Sequence, residues 1–230
     1  MEIKKLLKNT FLYKKIYYPR VEKKRNAWKS KIREAFLKEG ENALREFVNC
    51  MNNEGITYWL EFGSLLGAYR DGAFVPNELD LDVGVYLKDA NKIYSTLQQN
   101  GFRLIREFHV VGENGLEQTY EYKGTTIDLM FFYEKDGKLW CDGALFPKNV
   151  KSGKYFDYIV TSHFFKPFVC CDFNFLGMTV SVPSNTEEHL IEIFGPGYKV
   201  YDPNFKVDLN KVFYYNGEKK GYGFIIDIFA

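Results

Sequence analysis

The sequence predicts an α+β fold: a mixed β-sheet core flanked by helices and preceded by a helical arm. Three observations carry that expectation. Runs rich in β-branched and aromatic residues recur between residues 56 and 183. Stretches with apolar residues at helical spacing stand before, between and after them. The 230 residues, 46% of them hydrophobic, can bury one large core, and no repeat or low-complexity linker divides them.

The elements follow in order. Residues 1–53 read as a basic helical arm. Ile3, Leu6, Leu7 and Phe11 fall at helical spacing among lysines, giving a short amphipathic helix that Pro19 should end. Trp28, Ile32 and Phe36, then Leu44, Phe47, Val48 and Met51, mark two more helices about a break at Gly40. "NNEG", ending at Gly55, stops them, and residues 54–230 read as the main domain. There "ITYWLEF" reads as a strand, and "GSLLGAYRDG" as a short helix capped by Ser64 and stopped at Asp71-Gly72. A strand at about Leu79–Tyr86 precedes a helix at about Ala90–Asn100, closed by Gly101. Strand-like runs follow at 102–110, 117–122 and 125–133. Residues 158–183 are again dense in aromatic and β-branched types, and Thr186 should cap a helix running to Phe194.

The net charge of +1 hides an asymmetry, since residues 1–39 hold thirteen Lys or Arg against four Glu. A basic arm on a mildly acidic body suits an anionic surface as partner for the arm alone, or else is a solvated helix pair, and nothing indicates nucleic acid. Residues 1–20 are the segment expected to touch a membrane. Cys50, Cys141, Cys170 and Cys171 show neither C-x-x-C spacing nor histidine partners, so they read as reduced core thiols. No secretory signal or membrane span is legible, which predicts a cytoplasmic protein, peripheral at most to the inner face of a membrane.

The chemistry concentrates in "EFGSLLGAYRDGAFVPNELDLDVGVY", residues 61–86. Gly63 and Ser64 would let a ligand oxygen approach backbone N–H groups at a helix start, although ordinary capping accounts for most such pairs. A strand period of two places Asp80 and Asp82 on one face, opposite Leu79, Leu81 and Val83. Two carboxylates on one face repel unless a hard cation such as Mg²⁺ or Mn²⁺ sits between them; an exposed, solvated face is the plain alternative. Asp128 interrupts the apolar run "TTIDLMFFY", where an unpaired charge is costly. If its strand neighbours that of Asp80, a phosphate held at the turn meets a metal held by three acids.

At these residues the chain resembles the family of LicD, fukutin and fukutin-related proteins, most of all the fukutin-related members. The likeness rests on "YWLEFGSLLGAYRDGAFVPNELDLDVGVYLKD" and continues through "TTIDLMFFY" to "VPSNTEEHLIEIFGPGYKVYDPNF". It implies a nucleotidyltransferase-like fold and a metal-dependent transferase, moving ribitol 5-phosphate or phosphocholine from a CDP-linked donor to a glycan or glycolipid hydroxyl. It assigns Asp80, Asp82 and Asp128 to Mg²⁺ or Mn²⁺ and to catalysis, Gly63 and Ser64 to donor phosphate, and Arg70 to its neutralisation. Where the family has Trp-Asp after the proline, Asn77 and Glu78 follow Pro76 here, which changes the pocket. Glu61 stands where it could orient the acceptor or Arg70, or pair with a nearby base. His163 and His189 lack metal-ligand spacing and read as structural or surface groups; Cys170 and Cys171 read as buried. Two other functions stay open, a nucleotidyltransferase that releases pyrophosphate and a silent glycan- or membrane-binding module.

Overall fold

A computed structural model describes residues 15, 17–110, 116–145, 153, 155–202, 205 and 214–225. The amphipathic helix expected around Ile3–Phe11 lies outside them. The first element is a single helix, α1 (Tyr18–Glu54), with Pro19 in its first turn, where a missing N–H costs nothing. It does not break at Gly40. That glycine sits on the buried face, and a Cβ there would stand 3.2 Å from the Phe36 ring, so the small residue serves close packing and not termination. Gly55 ends α1 in the left-handed conformation, its N–H bonded to the carbonyls of Asn52 and Met51. Phe36, Ala43, Leu44, Phe47, Val48 and Met51 pack on the sheet, whereas residues 17–31 are exposed apart from half-buried Glu22.

After α1 come β1 (Tyr58–Leu60), the short α2 (Phe62–Leu66) continued by a π turn (Gly67–Asp71), β2 (Leu81–Tyr86) and α3 (Ala90–Gln99). Then follow β3 (Arg103–Val110), β4 (Leu116–Tyr122), β5 (Thr125–Lys135), β6 (Lys138–Leu145), β7 (Tyr155–Phe165), β8 (Cys170–Phe175), β9 (Met178–Pro183), α4 (Thr186–Phe194) and β10 (Tyr214–Ile225). Eight strands join in the order β1-β2-β5-β4-β3-β10-β7-β6, and β5 also pairs with β6, so six of them close on themselves. Only β2 and β5 run parallel among the pairings described. β8 and β9 form a separate hairpin. This is the mixed sheet with flanking helices that the sequence predicts.

One core packs α1, α3, α4 and the β8–β9 hairpin onto the β1-β2-β5 face. A second gathers Trp59, Phe132, Leu139, Cys141, Phe165 and Ile193 on the other face. Two local expectations change. Asn185, not Thr186, precedes α4, and the Thr186 hydroxyl donates to the Pro183 carbonyl. Cys170 is half-buried and Cys171 exposed, because β8 belongs to a two-stranded hairpin with one open face; Cys50 and Cys141 are buried, and all four are free thiols. No described helix is long and apolar enough to cross a membrane.

Candidate active site

The site forms where β1 ends and β2 begins. Trp59 is paired with Gly84 across these strands, and a Cβ on Gly84 would fall 2.3 Å from the indole; glycine in mid-strand admits the ring. Beyond Leu60 the chain turns at Phe62, whose φ of 41° is one that bulky residues avoid. The turn brings the Gly63 N–H to Asp82 Oδ2 at 3.2 Å and lets Ser64 Oγ accept the Asp82 N–H at 2.9 Å. Glu61, not Ser64, caps α2, accepting the Phe62 N–H at 3.3 Å. Ser64 is wholly buried. The Gly-Ser turn and the aspartates therefore meet through direct hydrogen bonds, with both groups expected at donor phosphate engaged by Asp82.

Leu81, Val83 and Val85 are buried in the main core, which leaves Asp82 on the opposite face of β2. Glu78 and Asp80 continue the same two-residue period backwards. One carboxylate oxygen from each of Glu78, Asp80 and Asp82 can lie within 4.8 Å of the others. A Cβ on Gly63 would strike Glu78 Oε2 at 2.5 Å, so glycine is what lets the carboxylates close on the turn. Asp128 is the direct partner of Asp82 on parallel β5, as the sequence reading required, but it is not one of the three clustered acids. The same row runs on through Thr119 of β4 to Arg106 of β3. Arg106 Nη2 donates to Asp128 Oδ2 at 3.0 Å and Nε to Thr119 Oγ1 at 2.9 Å, with Glu117 Oε1 at 3.9 Å from Nη2.

Electrostatics follow from this crowding. Burial, then the charge of Asp80, pushes Glu78 up to about 8. Burial, then Asp128, pushes Asp80 up to about 7, against the pull of Arg106. Asp82 is driven well above the carboxylate range by burial and by Asp80, Glu78 and Asp128, and the Gly63 N–H only partly offsets this. Burial lifts Glu117 to about 7 although Arg106 opposes it. Burial works against the Arg106 charge too, yet Asp128, Glu117 and Asp80 outweigh it and hold the guanidinium protonated. Glu78 Oε2 and Asp128 Oδ1 are buried without a hydrogen-bond partner. Hard oxygen donors, orphaned and mutually repelling, fit a hard divalent cation.

A pH dependence follows. Folding raises these carboxyl pKa values, so the stability they contribute is complete below the ordinary carboxylate range and is lost as pH climbs through about 7 to 8. In EDTA the melting temperature should fall by several degrees between about pH 5 and about pH 9, and saturating Mn²⁺ should restore it at the alkaline end. A flat EDTA profile contradicts the clustering.

Arg70 lies in the last turn before Gly72. Its guanidinium pairs with Asp71 at 2.6 and 2.7 Å, donates to the Tyr198 carbonyl at 3.3 Å and stands 5.8 Å from the Tyr201 ring centre. With Gly63, Glu78, Tyr198, Tyr201 and Phe194 it lines a 460 Å³ cleft that opens beside the acids. Glu61, expected either to orient the acceptor or Arg70 or to pair with a nearby base, is fully buried and does the latter: its carboxylate turns inward to Trp59 and His189. His189 is buried as well, and so is His163.

Sequence reasoning passed over Arg106 and Glu117, and it noted Glu78 after Pro76 without placing it among the clustered acids. The period of two through residues 78, 80 and 82 was the signal for Glu78. Arg106 and Glu117 look like ordinary strand charges until β3, β4 and β5 are set in register, and a register shift between Leu104 and Arg106 disturbs even that alternation.

Carboxylates gathered at the start of one strand beside a Gly-Ser turn, on a mixed sheet, define a nucleotidyltransferase-like domain. The family profile described as LicD/FKTN/FKRP, nucleotidyltransferase domain, matches residues 55–185, more than half of the chain, and the chain belongs to that family. Ribitol-5-phosphate transferase FKTN of Homo sapiens is 31% identical over 168 residues, covering 72% of this chain and 34% of the relative. The Macaca fascicularis protein of that name gives the same figures. Ribitol 5-phosphate transferase FKRP of Homo sapiens is 32% identical over 165 residues, covering 67% of this chain and 32% of the relative. The chain thus spans about a third of the length of these relatives. Among solved structures, the lincomycin-bound lincosamide antibiotic adenylyltransferase LnuA aligns with a TM-score of 0.44 and 18% identity, over 70% of this chain and 89% of that one.

Proposed function

We propose that the protein is a metal-dependent phosphotransferase that moves an alditol phosphate from a CDP-activated donor to a hydroxyl of a cell-surface glycan precursor. Ribitol 5-phosphate is the leading cargo, because the FKTN and FKRP relatives are named for it; phosphocholine stands behind it. The observation that carries the reading is the convergence of Asp80 and Asp82 with Glu78, which itself lines the cleft that Arg70 lines. These three acids would hold Mg²⁺ or Mn²⁺, which when bound supplies charge stabilisation for the transferring phosphoryl group. Arg70 would steady donor oxygens, and Gly63, having no side chain, leaves them room. Asp128 has one oxygen tied to Arg106 and the other without a partner, which suits it to take the acceptor's hydroxyl proton at Oδ1. The product test is incubation with a panel of CDP-linked donors, Mg²⁺ and acceptor: release of CMP is expected, and transfer of CMP to the acceptor with release of the cargo phosphate, or no turnover on any donor, counts against the assignment.

Arg70→Ala should raise the donor KM by about tenfold or more and leave the melting temperature nearly unchanged, since a charge-assisted contact to phosphate is lost at a half-buried position. An unchanged KM removes Arg70 from the donor site.

The basic arm would bring the enzyme to an anionic membrane carrying a glycolipid acceptor. In support, exposed Tyr18, Val21 and Trp28 of α1 lie among Arg20, Lys23, Lys24, Arg25 and Lys29, a composition suited to a lipid headgroup boundary. Deleting residues 1–29 should weaken sedimentation with phosphatidylserine-containing vesicles and spare turnover on a soluble acceptor. Undiminished vesicle binding assigns the arm to another role.

A further inference from the structure

Glu61 and His189 are 128 positions apart, both fully buried, and joined at 2.7 Å between Oε1 and Nε2. Four more hydrogen bonds involve Glu61. Its Oε2 accepts the Trp59 indole N–H at 2.7 Å and Oε1 the Phe62 N–H at 3.3 Å, while its backbone N–H donates to the Asp82 carbonyl at 3.0 Å and its own carbonyl accepts the Leu65 N–H at 3.0 Å. With Trp59 and Phe62 donating to the carboxylate, His189 completes a set of three donors, Nε2 carrying the hydrogen. The imidazole is itself fixed, stacked on Phe165 at 4.5 Å and edge-on to Phe168 at 5.3 Å between ring centres. Neither side chain lines the cleft.

Stability alone is a poor reason for such a pair, because a buried ionic or strongly polar pair gains little over apolar packing of the same volume. Its position supplies another reason. Among the described residues with positive φ other than glycine, Lys123, Asp136 and Leu176 stand in turns between paired strands, each just before a glycine. Phe62 instead opens α2, held between the Glu61 carboxylate and the Gly63–Asp82 bond. Strain at a bulky residue persists only where its surroundings over-determine it.

We propose that Glu61 and His189 are a positioning pair for the acidic site: reaching from α4 to the end of β1, they hold the Phe62 turn so that Gly63 and Ser64 lock the orientation of Asp82 toward Glu78 and Asp80. The pair touches neither substrate nor metal and acts through the turn. The proposal rests on the reading of the three acids as a cation site.

The test is titration of the whole chain with Mn²⁺, followed by the electron paramagnetic resonance of the free ion, with thermal melting in EDTA alongside. Glu61→Gln and His189→Leu should each stay folded and bind Mn²⁺ about tenfold more weakly, the scale typical of partners that orient ligands. The double variant should be no weaker than either single one, as expected of two residues working as a unit. His189→Gln, which restores a donor to Glu61, should recover most of the affinity. Folded variants that bind Mn²⁺ as tightly as the wild type overturn the proposal, as do losses that add independently. Failure of all the variants to fold overturns it too, since the pair would then serve the core. Wild-type protein that takes up no Mn²⁺ removes the cation reading itself, a result distinct from these.

Discussion

Asp82→Asn should lower turnover by about a hundredfold or more while leaving the protein folded, and in EDTA above neutral pH it should melt higher than the wild type. The two effects have one cause. Asp82 sits where burial and three neighbouring acids oppose its charge, so a neutral side chain of the same shape relieves repulsion in the metal-free protein. The same charge is what a divalent cation would need, and the asparagine keeps an oxygen for the Gly63 N–H but loses most of its attraction for metal. Steady-state rates, melting curves and Mn²⁺ affinity on one preparation read all three. Full turnover in the variant, or in EDTA, sinks the metal assignment.

Arg106→Gln should strongly destabilise the metal-free fold. Arg106 faces Asp128, Glu117 and Asp80 from a half-buried position, so its removal costs at most the about 3–5 kcal/mol of breaking a fully buried charge network. For a chain of this size that is a fall of at most roughly 6–20 °C in melting temperature. The sign with pH is fixed by Glu117 and Asp80, each already lifted to about 7 against the pull of Arg106. Without the guanidinium they bind protons still more readily, so the loss is greatest above about pH 8 and shrinks toward about pH 5, where both are neutral. Thermal melts at the two ends decide it, and an equal loss at both contradicts the network.

Much of this architecture was legible because it is written in local periods. The alternation through residues 79–86 announced β2, and the apolar run around Asp128 announced β5, so the parallel pairing of Asp82 with Asp128 needed only the guess that these strands are neighbours. Gly40 misled because a helix-breaking residue and a close-packing residue look alike in sequence; the Phe36 ring that explains it lies one turn away on the same helix. Ser64 misled for a related reason. A short hydroxyl before a helix is usually a cap, but here the carboxylate of Glu61 takes that position first, and the hydroxyl is left for the Asp82 N–H. Arg106, Glu117 and His189 were out of reach in principle, since their partners are set by the register of β3 and β4 and by the return of α4 to the end of β1.

The most direct test of the central claim is mass spectrometry of an acceptor glycan after incubation with the enzyme, CDP-ribitol and Mg²⁺. The account predicts that the glycan gains a ribitol phosphate while CMP accumulates in step. A glycan that gains CMP while ribitol phosphate is released, or an unmodified glycan with the CDP-ribitol intact, would contradict it.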